Sequence, residues 1–349
     1  MNLLQYGWNE TFAAGLSGIG AGPEQVGRVI ADFGEQMRIM TKEGEIVAGK
    51  AAKKLMSQPL FPAVGDWVVL LSEAGLDMPY VTAVLPRRTK FSRAAAGPEV
   101  REQVVAANVD TVFLVQSLNR DFNLRRLERY LIIGWESGAL PVVVLTKADC
   151  CDDALEYIAR VREVAPGVDV HAVSAATGEG MEELRRYLQP GATVALLGSS
   201  GVGKSTLVNT LCGREALATQ AIRENDGRGR HTTTHRELVL LPEGGLILDT
   251  PGMRMLSMWE AATGISEVFG DIEQLIDACR FRDCGHSNEP GCAVREALGN
   301  GSLPVDRWQS WLKLQRELAH LEAKKDGRLR QENKRWGKEV AKIAKRFKR

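Results

Sequence analysis

GSSGVGKS (198–205), with TVALL (193–197) before it and TLVNTLCG (206–213) after it, decides the fold. It satisfies G-x-x-x-x-G-K-[ST] at every fixed position, and the flanks read as strand, loop and helix. The glycines permit turns that bulky residues block, so successive backbone N–H groups converge on phosphate oxygens. The helix that follows presents its positive N-terminus to the same anion. The pattern assigns Gly198, Ser199, Ser200, Gly201, Val202, Gly203, Lys204, Ser205 and Thr206 to phosphate binding. Lys204 is expected to bridge the β- and γ-phosphates, and the Ser205 hydroxyl to ligate Mg²⁺.

Outward from this loop the apolar runs are near-continuous. DTVFLVQ (110–116), PVVVLT (141–146), DVHAVS (169–174), RELVLL (236–241) and LILDT (246–250) join TVALLG (193–198) as buried strands. Amphipathic stretches at 123–138, 152–164, 180–188 and 204–212 alternate with the early ones. That alternation predicts an α/β domain with a mainly parallel sheet covered on both faces.

Two loops upstream resemble the guanine-specificity loops of Ras-like GTPases. TKAD (146–149) and SAATG (174–178) each follow a predicted strand. The Asp149 carboxylate can accept from guanine N1–H and its exocyclic amine, a donor pair that adenine lacks. The Lys147 stem can pack on the base, and N–H groups near Ser174, Ala175 and Ala176 can donate to guanine O6. Thr146 departs from the usual Asn, whose two-ended amide ties the base loop to the phosphate loop. One hydroxyl in its place predicts weaker nucleotide affinity.

Downstream, DTPG (249–252) matches D-x-x-G, which assigns Asp249 to Mg²⁺ and the Gly252 N–H to the γ-phosphate. GRGRHTTTH (227–235) is the candidate first switch, with Thr233 or Thr234 closing on the γ-phosphate. The position of the water-orienting Gln is Met253, so hydrolysis needs another residue. His231 is the catalytic candidate; the alternative is that it only contacts RNA or solvent. The motifs therefore run TKAD, SAATG, GSSGVGKS, TTT, DTPG, with the phosphate loop third instead of first. This is the order of a circularly permuted GTPase, possible because domain termini lie close together. It leads the D-x-x-G segment almost directly into the C-terminal module, which predicts that γ-phosphate-dependent movement is passed to that module.

Short β-rich runs from about Gly27 to Pro86 predict a small barrel of five strands, with an OB-fold, an SH3-like barrel and a sandwich as the possible forms. Residues 1–24 are Gly-rich, weakly patterned and read as a lead-in segment. Cys279, Cys284, His286 and Cys292 form C-x₄-C-x-H-x₅-C, a closed set of four ligands for one structural Zn²⁺. Such a short stretch has little core, so metal would supply folding energy. The domains expected are a lead-in at 1–24, a barrel at 25–100, a permuted GTPase at 101–262 and a helical zinc-binding domain at 263–349.

Composition narrows the class. The 349 residues are 44% hydrophobic and 26% charged, ordinary for a soluble multidomain protein. No window approaches a membrane span and the start lacks a signal-peptide pattern, so a cytoplasmic monomer without a membrane partner is expected. The net charge of +1 hides residues 321–349, where twelve Lys/Arg face four Asp/Glu. That block, including Arg328, Arg330, Lys334 and Arg335, reads as a phosphate-contacting helix or as a solvated face. Arg87, Arg88, Lys90 and Arg93 form a second basic patch or a solvated loop.

Barrel, permuted GTPase and Cys₃His module, in that order, resemble the ribosome small-subunit-dependent GTPase A family (RsgA, also called YjeQ). Further stretches look like it: VGD (64–66), AANVDTVFLV (106–115), DFNLRRLERYL (121–131) and CGHSNEPGCAV (284–294). The resemblance implies GTP and GDP as ligands and the 30S ribosomal subunit with its 16S rRNA as partner. It implies late-assembly action and release by subunit-stimulated hydrolysis. Two other readings remain at this point: an RNA-binding assembly chaperone with negligible turnover, and a P-loop kinase, which would not need guanine-reading loops.

Overall fold

The computed structural model describes residues 2–50, 61–72, 77–95, 102–119, 121–213, 236–249 and 261–325. They fall into two compact units, Met1–Arg93 with Val104–Ser257 and Ala94–Gln103 with Met258–Arg349.

The first unit opens with a helix, α1 (Glu10–Ile19), where the sequence suggested only a lead-in. The Asn9 side chain caps it by accepting from the N–H groups of Thr11 and Phe12. Gly20, at φ +74°, ends it in the left-handed region. Glycines inside the helix blur its periodicity, yet Phe12 and Leu16 are buried. Trp8 and Phe12 pack on Trp67 with ring centroids 4.8 and 5.7 Å away.

Five strands then form the barrel: β1 (Val26–Asp32), β2 (Gln36–Thr41), β3 (Glu45–Gly49), β4 (Trp67–Leu71) and β5 (Tyr80–Val84). Their order is β1-β2-β3-β5-β4, and β4 pairs back with β1. β3 meets β5 in parallel at Gly49↔Tyr80 and the other pairs are antiparallel. Closure in this order selects the OB-fold among the three forms. A separate two-stranded sheet, β6 (Lys90–Ala94) with β7 (Glu102–Ala107), follows.

The α/β part comprises β8 (Thr111–Ser117), α2 (Leu124–Ser137), β9 (Leu140–Thr146), α3 (Ala154–Val164), β10 (Asp169–Val173), α4 (Met181–Arg185), β11 (Thr193–Leu197), α5 (Lys204–Cys212), β12 (Arg236–Leu240) and β13 (Leu246–Asp249). Strands β10-β9-β8-β11-β13 are all parallel. Their carboxyl ends therefore share one edge, where ligands of open α/β sheets bind. Phe113, Val115, Val144, Leu196, Leu207 and Ile247 form part of the core beneath that edge. Burying each such side chain contributes about 1.5–3 kcal/mol.

β12 runs antiparallel to β13, and its other side pairs with barrel strand β1. Barrel and α/β sheet are thus one eleven-stranded sheet. A bulge between Val29 and Ala31 redirects β1, so Val26–Arg28 face β4 while Ala31 and Asp32 face β12. Buried Arg28 ties the junction by donating to the carbonyls of Tyr6, Gly65 and Asn108. Burial lowers its pKa to about 10, with Asp110 and Asp66 opposing the shift.

The second unit holds α6 (Ala262–Asp277), α7 (Ala293–Asn300) and α8 (Val305–Lys325). Arg307 of α8 grips Asp271 of α6 through two hydrogen bonds of 3.0 and 2.8 Å and also donates to Val268 O.

Candidate nucleotide site and Cys3His centre

The phosphate loop leaves the carboxyl end of β11, and α5 begins at Lys204. Gly198 is required by packing, since a Cβ there would sit 2.5 Å from the Val115 carbonyl. Gly203, at φ +93°, occupies a conformation L side chains rarely adopt. Lys204 Nζ folds into the loop and donates to the carbonyls of Gly198 and Ser199 at 2.8 and 2.6 Å. A cation held there by neutral carbonyls is available to an incoming phosphate.

The two base-reading loops stand on the neighbouring strands. Thr146 ends β9, Lys147 follows at φ +62°, and SAATG follows β10. Thr146 Oγ1 lies 2.5 Å from Val202 O of the phosphate loop and 3.2 Å from Gln116 O. Lys147 Nζ donates to Gly201 O at 3.0 Å. The tie that Asn provides elsewhere is made here by two side chains together.

Asp149 is oriented before any base arrives. Ser174, fully buried, donates its hydroxyl to Asp149 Oδ1 at 2.6 Å, and Cys150 Sγ reaches Oδ2 at 3.3 Å. These bonds, the Ser174 one foremost, hold the Asp149 carboxyl below its ordinary pKa. The same contact raises the Cys150 thiol. Asp149 is thus ionised and acceptor-only, as guanine recognition requires. Ser174 serves through Asp149, while Thr177 N donates to the Ser174 hydroxyl.

One partner of the phosphate loop lies outside every nucleotide-binding motif of the sequence. Ser199 Oγ donates to Asp121 Oδ2 at 2.8 Å, and Arg126 pairs with the same carboxylate at 2.9 Å. Asp121 lies in the loop after β8, the strand beside β11. Its signal was the DFNLRRLERYL run, which carries no phosphate-binding spacing of its own.

The backbone of Asp249 ends β13, parallel to β11, at the same edge of the sheet. His231, Thr233, Thr234, Gly252 and Met253 lie outside the described residues, as do Arg328 and the rest of the basic tail. The second basic patch proves structural in part. Arg87 makes two bonds of 2.8 and 2.7 Å to buried Asp66, and Arg88 pairs with Asp110 at 2.6 Å.

In the second unit the Cys₃His atoms of Cys279, Cys284, His286 and Cys292 lie within 4.8 Å of one another. Cys279 Sγ is 3.6 Å from His286 Nδ1 and 3.9 Å from Cys292 Sγ, and Cys292 Sγ is 3.6 Å from His286 Nδ1. A tetrahedral Zn²⁺ with ordinary bond lengths spaces S···S about 3.8 Å and S···N about 3.5 Å apart, so the donor set fits. His286 adopts φ +54° and its ring meets Trp308 edge-on at 5.6 Å. The Glu289 carboxylate accepts from its own backbone N–H, the largest influence, and from those of Ser287, Gly285 and Asn288, which lowers its pKa to about 2.

Comparison with known proteins agrees with this geometry. The family model described as RsgA GTPase matches residues 84–259. The small ribosomal subunit biogenesis GTPase RsgA 2 of Lactiplantibacillus plantarum is 45% identical over 323 residues, spanning 92% of this chain and 90% of its own. Among solved structures, YjeQ from Thermotoga maritima superposes with a TM-score of 0.59 at 28% identity, over 84% of this chain and 98% of that one. YloQ, a circularly permuted GTPase, shares the fold with a TM-score of 0.56 at 23% identity, over 84% of this chain and 95% of that one. By motif order, sheet topology and sequence similarity, this chain belongs to the RsgA GTPase family and is a circularly permuted GTP hydrolase.

Proposed function

We propose that this GTPase acts in biogenesis of the small ribosomal subunit, binding the 30S particle through its 16S rRNA and leaving it on hydrolysis. The observation that carries the reading is the meeting of the base loops, phosphate loop and Asp249 backbone at one sheet edge that is continuous with an OB barrel. OB barrels commonly bind RNA. The relatives named for small-subunit biogenesis match nearly the whole chain.

In this reading Asp149 selects guanine, Lys147 covers the base, and the 198–206 loop with Lys204 binds the phosphates. Ser205 and Asp249 supply the hard oxygen ligands that Mg²⁺ prefers, and the ion would neutralise charge on the β- and γ-phosphates. Thr233 or Thr234 closes the first switch, Gly252 meets the γ-phosphate and His231 orients the attacking water. The Cys₃His centre holds one structural Zn²⁺, since four protein ligands leave no open position. In this reading the protein works in the cytoplasm as a monomer. No helix of the described residues is long and apolar enough to cross a membrane.

The test is steady-state GTP hydrolysis with and without purified 30S subunits, using ATP as control and salt as variable. Salt-sensitive stimulation confined to GTP is expected. Slow hydrolysis unchanged by demonstrably bound 30S would instead describe an assembly chaperone whose nucleotide only tunes affinity.

A further inference from the structure

Four residues on four adjacent strands form one row across the sheet. Arg38 of β2 pairs with Ala31 of β1, Ala31 pairs with Glu237 of β12, and Glu237 pairs with Asp249 of β13. Arg38, Ala31 and Glu237, paired in turn, share a face of the sheet, so the long Arg38 side chain can cross the short Ala31 to reach the next strand. Arg38 does this. Its guanidinium passes the methyl group of buried Ala31 and bonds Glu237 Oε1. On its other side Arg38 Nη1 pairs with Glu45 of β3 at 3.2 Å, and its guanidinium lies 5.8 Å from the Phe33 ring. The barrel thereby fixes Arg38 from two elements before it reaches Glu237.

The position of β12 gives this contact its meaning. The strand begins at Arg236, one residue after His235 and so directly after the Thr233–Thr234 segment. At that same end it pairs with the residue read as the Mg²⁺ carboxylate. On the barrel side, among the described residues, it is held by two registered pairs, Ala31↔Glu237 and Asp32↔Arg236. With strand spacing of about 4.8 Å, the barrel backbone at Ala31 lies about 10 Å from that of Asp249.

We propose that Arg38, a barrel residue outside the nucleotide-binding motifs, is a positioning residue for GTP hydrolysis. It holds Glu237, and through Glu237 the strand that joins the first switch to Asp249. A partner seated on the barrel would thus act on hydrolysis through the sheet itself. The proposal rests on the reading of Asp249 as the Mg²⁺ residue.

The test uses the full-length protein at low ionic strength. Arg38→Glu, Glu237→Arg, the double exchange and Asp249→Asn are compared for GTP hydrolysis against Mg²⁺ concentration. Binding of fluorescent GDP without Mg²⁺ is measured in parallel. Arg38→Glu is expected to raise the Mg²⁺ needed for half-maximal hydrolysis about fivefold, the upper range for a part-exposed ion pair. GDP affinity without Mg²⁺ stays at the parent value, because the base loops lie at the far edge of the sheet. Made together with Glu45→Gln, so that the reversed charge at position 38 meets no like charge from β3, the double exchange restores the parent Mg²⁺ dependence within about twofold, which a loss of fold would not do. If Asp249→Asn shifts the Mg²⁺ dependence and Arg38→Glu does not, the positioning role falls while the site reading stands. A double exchange no better than the worse single variant, or GDP affinity falling in step with hydrolysis, also overturns it. If Asp249→Asn leaves the Mg²⁺ dependence untouched, the underlying reading fails and takes the proposal with it.

Discussion

Replacing Thr146 by Val removes one hydroxyl, keeps the shape of the side chain and tests how the base loop is tied to the phosphate loop. Thr146 is buried, and its Oγ1 sits 2.5 Å from Val202 O. A hydroxyl has one hydrogen, so of the two nearby carbonyls the Val202 oxygen at 2.5 Å receives it in preference to Gln116 O at 3.2 Å. Orphaning a buried carbonyl costs about 1–3 kcal/mol. Lys147 still bonds Gly201 O, so the loop keeps one of its two ties. Stability should therefore fall by about 1–2 kcal/mol, read from the denaturant midpoint at unchanged m-value. Part of the same loss returns in binding, because nucleotide must re-order the loop. A share near 1.4 kcal/mol corresponds to about a tenfold higher Kd for GDP. Discrimination against ATP should be unchanged, since Asp149 and Ser174 are untouched. Fluorescent-GDP titration with ATP competition reads both quantities. A folded Thr146→Val protein with parent GDP affinity and stability would refute the view that this hydroxyl ties the loops.

Ser174→Ala should free Asp149 to rotate and let its carboxyl titrate nearer the ordinary value, so that GDP affinity begins to fall at a higher pH than in the parent protein; a coincident pH profile counts against the orienting role. Arg87→Ala leaves buried Asp66 uncompensated and should cost about 3–5 kcal/mol in chemical denaturation near pH 8. Burial already raises the Asp66 pKa against the pull of Arg87, so the folded state binds its proton more tightly than the unfolded chain does. Loss of Arg87 raises that pKa further, so the deficit should shrink as pH falls from the variant's value to the parent's and level off below it; a pH-independent deficit would contradict the assignment. Cys284→Ser should lower zinc content below one per chain and melt helices of the second unit in circular dichroism while GDP binding persists; full zinc retention would remove Cys284 from the ligand set.

The phosphate loop, the base loops and the Cys₃His spacing were legible because each is a local pattern. Gly203 and Lys204 act on a phosphate through backbone conformation and a short reach along the chain, and the four zinc ligands fall within 14 residues. Continuous apolar strands and intervening amphipathic helices placed those loops at strand ends for the same reason. Helix α1 was harder, since its internal glycines dilute a periodicity that Asn9 and Gly20 still bracket. Contacts between distant parts of the chain left no such trace. Asp121 meets Ser199 across 78 positions and Arg38 meets Glu237 across 199. Arg87 read as a basic surface patch because its partner, Asp66, lies 21 residues away and becomes buried only when the barrel closes. Which chemistry the chain carries is set by its local motifs, since motif residues act through their near neighbours. Tertiary structure alone decided the OB closure and the bulge that turns β1 from barrel to α/β sheet, because strand pairing depends on which edges meet in space.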